Sequence, residues 1–219
     1  MALRNVIFDL DGTLVNSLPG IEHSVDCALR KRHYPSRTCE LRPLIGPPIR
    51  DILRTVSGET DSSALDALEA VFRVTYDSEG WTKTVLQPEA KETLTWITGA
   101  GGSVFVVTNK PRRPAVSIAQ RLGLLVSDMI SPDSATPPYR SKAEMIQRLM
   151  RADDVKAGNS LVVGDTREDL DAAREVGMAA VIVTTGYGRF AEGADAEAFR
   201  KIHALGELKS VIADTGGFA

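Results

Sequence analysis

Cysteine is scarce in this chain of 219 residues, present only as Cys27 and Cys39. Two cysteines cannot build a zinc cluster by themselves, and their spacing is not Cys-x-x-Cys. They are expected as reduced thiols. Aromatic residues are few, at 5% of the chain, which leaves little material for stacking single-stranded bases. An excess of one charge is also missing. Lys and Arg number 26 against 29 Asp and Glu, a formal net charge of −3, so no polyanion-binding surface is expected. Long apolar runs are lacking too. The longest charge-free stretch, 93–109, is broken by threonines and three glycines, and it is too polar and slightly too short to span a bilayer. At the start of the chain, Val6-Ile7-Phe8 runs straight into Asp9 and Asp11, so no secretory apolar segment is expected. Nucleic acid and membrane are therefore not expected partners, and the location expected is the cytoplasm.

What is present is ordinary for a globular protein: 43% hydrophobic and 25% charged residues. The length corresponds to about one and a half domains. Short apolar runs recur, each ending in a polar cluster: Val6-Ile7-Phe8, Val104-Phe105-Val106-Val107, Met129-Ile130, Leu161-Val162-Val163 and Val181-Ile182-Val183. Runs this short and rich in β-branched residues read as strands buried on both faces, hence parallel. Helical patterns lie between the later runs, at 88–100, 112–122, 141–151 and 167–176, the last stopped by Gly177. Strand and helix in alternation predict an α/β fold with a doubly wound, Rossmann-like parallel sheet.

One interval breaks the alternation. Between Val15 and Val85 only helical periodicity is found, with Ile21, Val25 and Leu29 on one face and Leu65, Leu68, Phe72 and Tyr76 on another. A shorter helix is expected to open at Pro47-Pro48, since proline suits a first helical turn. Residues 17–84 are thus expected to form a helical cap domain, inserted into a core made of 1–16 and 85–219. In 189–203 a short helix and a sixth edge strand are expected, before a last helix at 205–212.

In an open parallel sheet, ligands bind at the carboxyl ends of the strands. There the sequence puts Asp9 to Thr13, then Thr108-Asn109, then Ser141-Lys142, then Gly164-Asp165-Thr166 with Asp169 following. Four carboxylates so close, Asp9, Asp11, Asp165 and Asp169, would repel one another unless neutralised. A hard divalent cation with oxygen ligands is the usual remedy, and Mg²⁺ suits a site that also takes phosphate. Plainer readings exist for each residue. Asp9 and Asp11 could close a strand with an Asp-Gly turn. Thr166-x-x-Asp169 matches a capping box, a role compatible with a second one. Ser141-x-x-Glu144 matches another box and places Lys142 at the first helical position, where a cation opposes the helix dipole. Lys142 is therefore expected against nearby negative charge, a solvated lysine being the alternative. Thr108 could be a plain strand-end residue.

The series Asp9-x-Asp11-Gly12-Thr13-Leu14, Thr108-Asn109, Lys142 and Gly164-Asp165-x-x-x-Asp169 resembles the four motifs of the haloacid dehalogenase superfamily. Thr108-Asn109-Lys110-Pro111, Ile45-Gly46-Pro47-Pro48 and Gly186-Tyr187-Gly188 resemble its phosphoglycolate phosphatase-like branch. In one departure from that branch, Ala143 rather than proline follows Lys142, which leaves Lys110 as the other candidate for the third-motif lysine.

The resemblance implies a Mg²⁺-dependent phosphatase that hydrolyses a small phosphomonoester, phosphoglycolate-like, through an aspartyl-phosphate. Asp9 is then the nucleophile and Asp11 the acid and base, while Thr108 and Lys142 hold the phosphoryl oxygens. Gly12, Thr13 and Asn109 line the substrate. The metal set is Asp9, Asp11 (through its backbone carbonyl), Asp165 and Asp169, with Asp169 also orienting Lys142 or a metal-bound water. An insertion between the first and second motifs corresponds to a helical cap of the first type, hinged near Asn16-Ser17 and Thr84-Val85. Within it Arg50 is a candidate for a substrate carboxylate or second phosphate, with a solvated arginine as the alternative. The partner expected is a small phosphorylated metabolite, and the protein is expected as a monomer or homodimer. A phosphomutase of the β-phosphoglucomutase type is the second reading, and a non-catalytic phosphate-binding module the third. A dehalogenase would leave the Asp9-x-Asp11 pair unexplained.

Overall fold

The computed structural model describes residues 3–35, 41–152, 154–190 and 199–218. Cys39 lies outside the described residues, as does most of the stretch in which a short helix was expected before the sixth strand. The chain divides into two compact units, Met1–Val15 with Leu86–Ala219, and Asn16–Val85.

In chain order the elements are strands β1 (Asn5–Phe8) and β2 (Val15–Asn16), helices α1 (Leu18–Lys31), α2 (Ile49–Ser57) and α3 (Ser62–Ser78), then strand β3 (Val85–Leu86). There follow α4 (Ala90–Gly99), β4 (Ser103–Val107), α5 (Arg112–Leu122), β5 (Asp128–Ile130) and α6 (Lys142–Ala152). The chain closes with β6 (Ser160–Gly164), α7 (Arg167–Glu175), β7 (Ala179–Val183), β8 (Arg200–Ile202) and α8 (Leu208–Asp214).

Six strands form one parallel sheet in the order β5-β4-β1-β6-β7-β8. The chain winds outward from β1 in one direction through β4 and β5, then returns to the other side of β1 for β6, β7 and β8. That is the doubly wound order, which opens a crevice where the winding reverses, between β1 and β6. The expected α/β fold is the one found.

The strand sequences explain the arrangement. Ile7, Phe105, Val107, Ile130 and Val162 point to one face, where Ala143, Ile146 and Leu149 of α6 and Ala172 and Ala173 of α7 cover them. The intervening residues Val6, Phe8, Val104, Val106, Leu161 and Val163 are buried as well. A strand covered on both sides has no polar alternation, which is why these runs read as unbroken apolar stretches. Each large side chain removed from water contributes about 1.5–3 kcal/mol before its ordering cost. The sixth strand, β8, pairs Arg200 with Val181 and Ile202 with Val183 at the sheet edge.

In the helical unit, α1 buries Ile21, Val25 and Leu29, and α3 buries Leu65, Leu68, Phe72 and Tyr76. The carboxylate of Asp61 caps α3 by accepting from the Ala64 amide at 2.8 Å. Pro48 stands one residue earlier than expected: it is the extended residue that precedes α2, whose first helical residue is Ile49. Gly58 ends α2 in the left-handed conformation. No helix among the described residues is long and apolar enough to cross a membrane.

Candidate active site

Backbone register places the site. Phe8 of β1 is paired with Val106 of β4 on one side and with Val163 of β6 on the other. Asp9 follows directly, its amide donating to the Val163 carbonyl at 2.9 Å. Thr108 and Asp165 each come two residues past the paired position. Three neighbouring strands therefore deliver a carboxylate, a hydroxyl and a second carboxylate to one rim.

The loop after β1 turns at Gly12, with φ of +98°, a region that L side chains rarely adopt. A Cβ there would also collide with Asp165 Oδ2 and come within 2.8 Å of the Tyr187 ring. The close approach of this loop to Asp165 needs glycine on both counts. Gln87, just after β3, fixes the same turn by donating to the Gly12 carbonyl at 3.1 Å.

Lys142 opens α6 and is buried, and its ammonium donates to Asp9 Oδ1 at 2.7 Å and to Asp169 Oδ1 at 2.6 Å. Burial opposes its charge, but the two carboxylates outweigh that and hold its pKa above the ordinary lysine range. The helix start is capped as the sequence suggested in one half only: the Ser141 hydroxyl accepts from the Glu144 amide at 3.2 Å, whereas the Glu144 carboxylate reaches the Arg140 amide. Asp169 does two tasks at once. Its Oδ2 accepts from the amide and hydroxyl of Thr166, at 3.0 and 2.7 Å, while its Oδ1 holds Lys142. The capping reading of Asp169 is the one found, and the same side chain lies against Lys142.

Asp165 is fully enclosed. Its Oδ1 accepts from the Thr13 hydroxyl at 2.8 Å, and its Oδ2 from the Tyr187 amide at 2.6 Å and the Gly188 amide at 3.4 Å. Burial first, and then the Asp169 carboxylate, push its pKa up to about 6, while the Tyr187 amide and Thr13 hydroxyl pull the other way. Asp9 is also raised well above the usual carboxylate range, again by burial foremost, with Lys142 opposing and Asp169 and Asp165 adding to the rise.

Asp9, Asp165 and Asp169 each offer an oxygen, all within 4.8 Å of one another. Three carboxylates against the single ammonium of Lys142 leave 3 − 1 = 2 uncompensated negative charges when all are ionised. Hard oxygen donors with that deficit fit a divalent cation such as Mg²⁺. The cluster holds three acids rather than the four expected. The Asp11 carboxylate is bound instead by Lys110, whose ammonium lies 3.1 and 2.9 Å from its two oxygens. The two candidate lysines are thus separated: Lys142 stands among the clustered acids, and Lys110 stands on Asp11.

Thr108 is buried, and its hydroxyl accepts from the Lys110 amide at 3.1 Å. Asn109 donates to the Glu168 carboxylate at 2.7 Å on the exposed rim. Arg50, in the helical unit, is engaged there by Asp66 at 2.5 Å, Glu69 at 3.4 Å and both oxygens of Ser62. Sequence reasoning missed Gln87, the clamp of Lys110 on Asp11 and the amides of Tyr187 and Gly188. Of these, Lys110 was marked as the other candidate for the third-motif lysine, and the Gly186-Tyr187-Gly188 wording gave a signal by resemblance alone.

The chain belongs to the haloacid dehalogenase-like hydrolase family, whose model matches residues 6–183. Within that family it is a phosphoglycolate phosphatase-like enzyme, a phosphatase. It is 32% identical over 192 residues to the phosphoglycolate phosphatase of Pseudomonas syringae pv. tomato, covering 83% of this chain and 70% of that protein. It is 30% identical over 196 residues to the phosphoglycolate phosphatase of Vibrio parahaemolyticus, covering 84% and 85%. Among solved structures, a predicted phosphoglycolate phosphatase from Haemophilus somnus matches with a TM-score of 0.83 and 26% identity, over 95% of this chain and 97% of that one.

Proposed function

We propose that the enzyme hydrolyses a small phosphomonoester of the phosphoglycolate kind, with Mg²⁺, through an aspartyl-phosphate on Asp9. The observation that carries this reading is the contact of Lys142 with Asp9 inside a buried cluster of three carboxylates. A carboxylate nucleophile splits one difficult displacement into two easier ones. In the first, an Asp9 oxygen bonds to phosphorus, the ester P–O bond breaks, and Asp11 gives a proton to the departing alkoxide. In the second, Asp11 takes a proton from water as the water oxygen bonds to phosphorus and the acyl-phosphate P–O bond breaks. Inorganic phosphate leaves, and Asp9 is a carboxylate again. The Lys142 ammonium and the Thr108 hydroxyl hold the equatorial phosphoryl oxygens through both steps. Asp9, Asp165, Asp169 and the main-chain carbonyl of Asp11 would hold the Mg²⁺, which supplies positive charge against the transferring phosphoryl group.

Substrate class rests on the named relatives, which are phosphoglycolate phosphatases. The test is phosphate release from a panel of small phosphomonoesters with Mg²⁺, for the wild type and for Asp9→Asn. The wild type is expected to release phosphate fastest from phosphoglycolate, and Asp9→Asn to lose more than about 10³-fold. Near-normal hydrolysis by Asp9→Asn would overturn the mechanism. An isomerised ester in place of free phosphate would move the enzyme to the phosphomutases.

A further inference from the structure

Lys110 has no part in the scheme above, although its ammonium binds the proposed acid and base, Asp11. The ammonium of Lys110 reaches both oxygens of Asp11, at 3.1 and 2.9 Å, and the two side chains are only 6% and 17% exposed. An ion pair this enclosed is weak evidence for stability, because desolvation cancels much of the attraction and an apolar pair would serve the fold as well. What it does supply is orientation. One ammonium bound to both oxygens of a carboxylate restricts its rotation, and the backbone of Lys110 is itself held by the hydrogen bond that its N–H donates to the Thr108 hydroxyl. The segment 108–110 thereby ties the hydroxyl proposed to hold phosphoryl oxygens to the carboxyl proposed to serve the leaving group.

An ammonium has three donors and no lone pair, so neither of the two carboxyl oxygens it faces can present a proton to it. When Asp11 carries its proton, Lys110 therefore leaves that proton only the outward direction, away from the ammonium. We propose that Lys110 is a positioning residue: it holds the Asp11 carboxyl so that its proton lies toward the leaving oxygen. Lys110 makes and breaks no bond in the reaction, and no atom passes through it. The proposal rests on the aspartyl-phosphate reading, and it adds to that reading what keeps the acid aimed.

Alcohol departure depends on this proton to an extent set by the alcohol. An alkoxide from phosphoglycolate is a poor leaving group and needs it, whereas p-nitrophenolate leaves with little help. The value of kcat/KM reports steps up to that departure, so the ratio of kcat/KM for p-nitrophenyl phosphate to that for phosphoglycolate isolates the acid. In Lys110→Met the ratio is expected to rise about tenfold or more over the wild type, since general acid catalysis contributes on the order of 10²–10⁴. Lys110→Arg, which keeps a cation with different reach, is expected to fall between the two. An unchanged ratio overturns the proposal, whether both substrates lose activity equally or neither does, because a structural bridge lowers both alike. If Lys110→Met fails to fold by circular dichroism, Lys110→Gln is measured against the same ratio. Asp9→Asn run alongside separates the two ideas. Its inactivity on both esters keeps the parent reading while Lys110 is judged, and its activity on both overturns the parent reading and the proposal together.

Discussion

The hydroxyl of Thr13 donates to Asp165 Oδ1 at 2.8 Å, with both side chains fully buried. This bond fastens the loop after the central strand to the end of its neighbour, across 152 positions of sequence. Thr13, read from the sequence as a substrate contact, thus has its proton on a carboxylate of the acidic cluster. Thr13→Val keeps the shape and removes the donor, leaving an enclosed carboxylate short of a partner. Unfolding in urea at neutral pH is expected to show a loss of about 1–3 kcal/mol, with most of it recovered in Thr13→Ser. Equal stability of the valine variant would show that the bond does not hold the loop.

The carboxyls of the cluster make the metal-free protein sensitive to pH in a defined direction. Asp165 has its native pKa pushed up to about 6, chiefly by burial. In an unfolded chain an aspartate titrates near 3.9, so the native state binds this proton more tightly. The resulting stabilisation is present in acid and is lost as pH rises through the native value. With chelator present, Asp165→Asn is therefore expected to gain stability relative to the wild type between about pH 4 and pH 7. Excess Mg²⁺ at neutral pH is expected to reverse the order, because binding to the native state stabilises the wild type. A wild-type minus variant difference that stays flat with pH would remove Asp165 from this linkage.

Gly12→Ala places a methyl group against Asp165 Oδ2 in a backbone conformation with φ of +98°. Strain and collision together are expected to lower stability by at least about 2 kcal/mol. Binding of Mg²⁺, followed by calorimetry, is expected to weaken as well, since the displaced carboxylate belongs to the cluster. Wild-type metal affinity in this variant would show that Asp165 tolerates the shift.

Arg50 donates to Asp66, Glu69 and Ser62, all on or beside α3. Arg50→Ala is expected to lower the melting temperature slightly while leaving the preference for phosphoglycolate over an uncharged phosphomonoester unchanged. A drop confined to phosphoglycolate would restore Arg50 to substrate recognition.

How far the sequence carries depends on the kind of interaction. Strand ends were legible because β1, β4 and β6 are covered on both faces and so appear as short β-branched runs that stop abruptly at Asp9, Thr108 and Asp165. Asp169 was legible twice, because capping and ion pairing both need an acid at the same place. The edge strand β8 was expected only loosely, since Arg200-Lys201-Ile202 has one buried residue and no period to read. Main-chain donors left no chemical mark beyond the resemblance of Gly186-Tyr187-Gly188: the amides of Tyr187 and Gly188 hold Asp165, and any residue but proline has an amide. Lys110 and Lys142 could not be told apart by spacing either. Their separation is decided by the direction in which each loop leaves its strand, which no local pattern records.

The register of the three middle strands divides the chain by its tolerance to changes in length. Phe8 is matched with Val106 and Val163 on the same rung, so Asp9, Thr108 and Asp165 are indexed from one line across the sheet. A single residue added within β1, β4 or β6 would send each following side chain to the opposite covered face and shift one of those groups by a full residue step. The same addition in the connection between α6 and β6 would be absorbed before the next rung begins. Alignment of the site in this fold is thus a matter of counting along three strands and through the short turns at their ends, where Thr13 meets Asp165 and Lys110 meets Asp11.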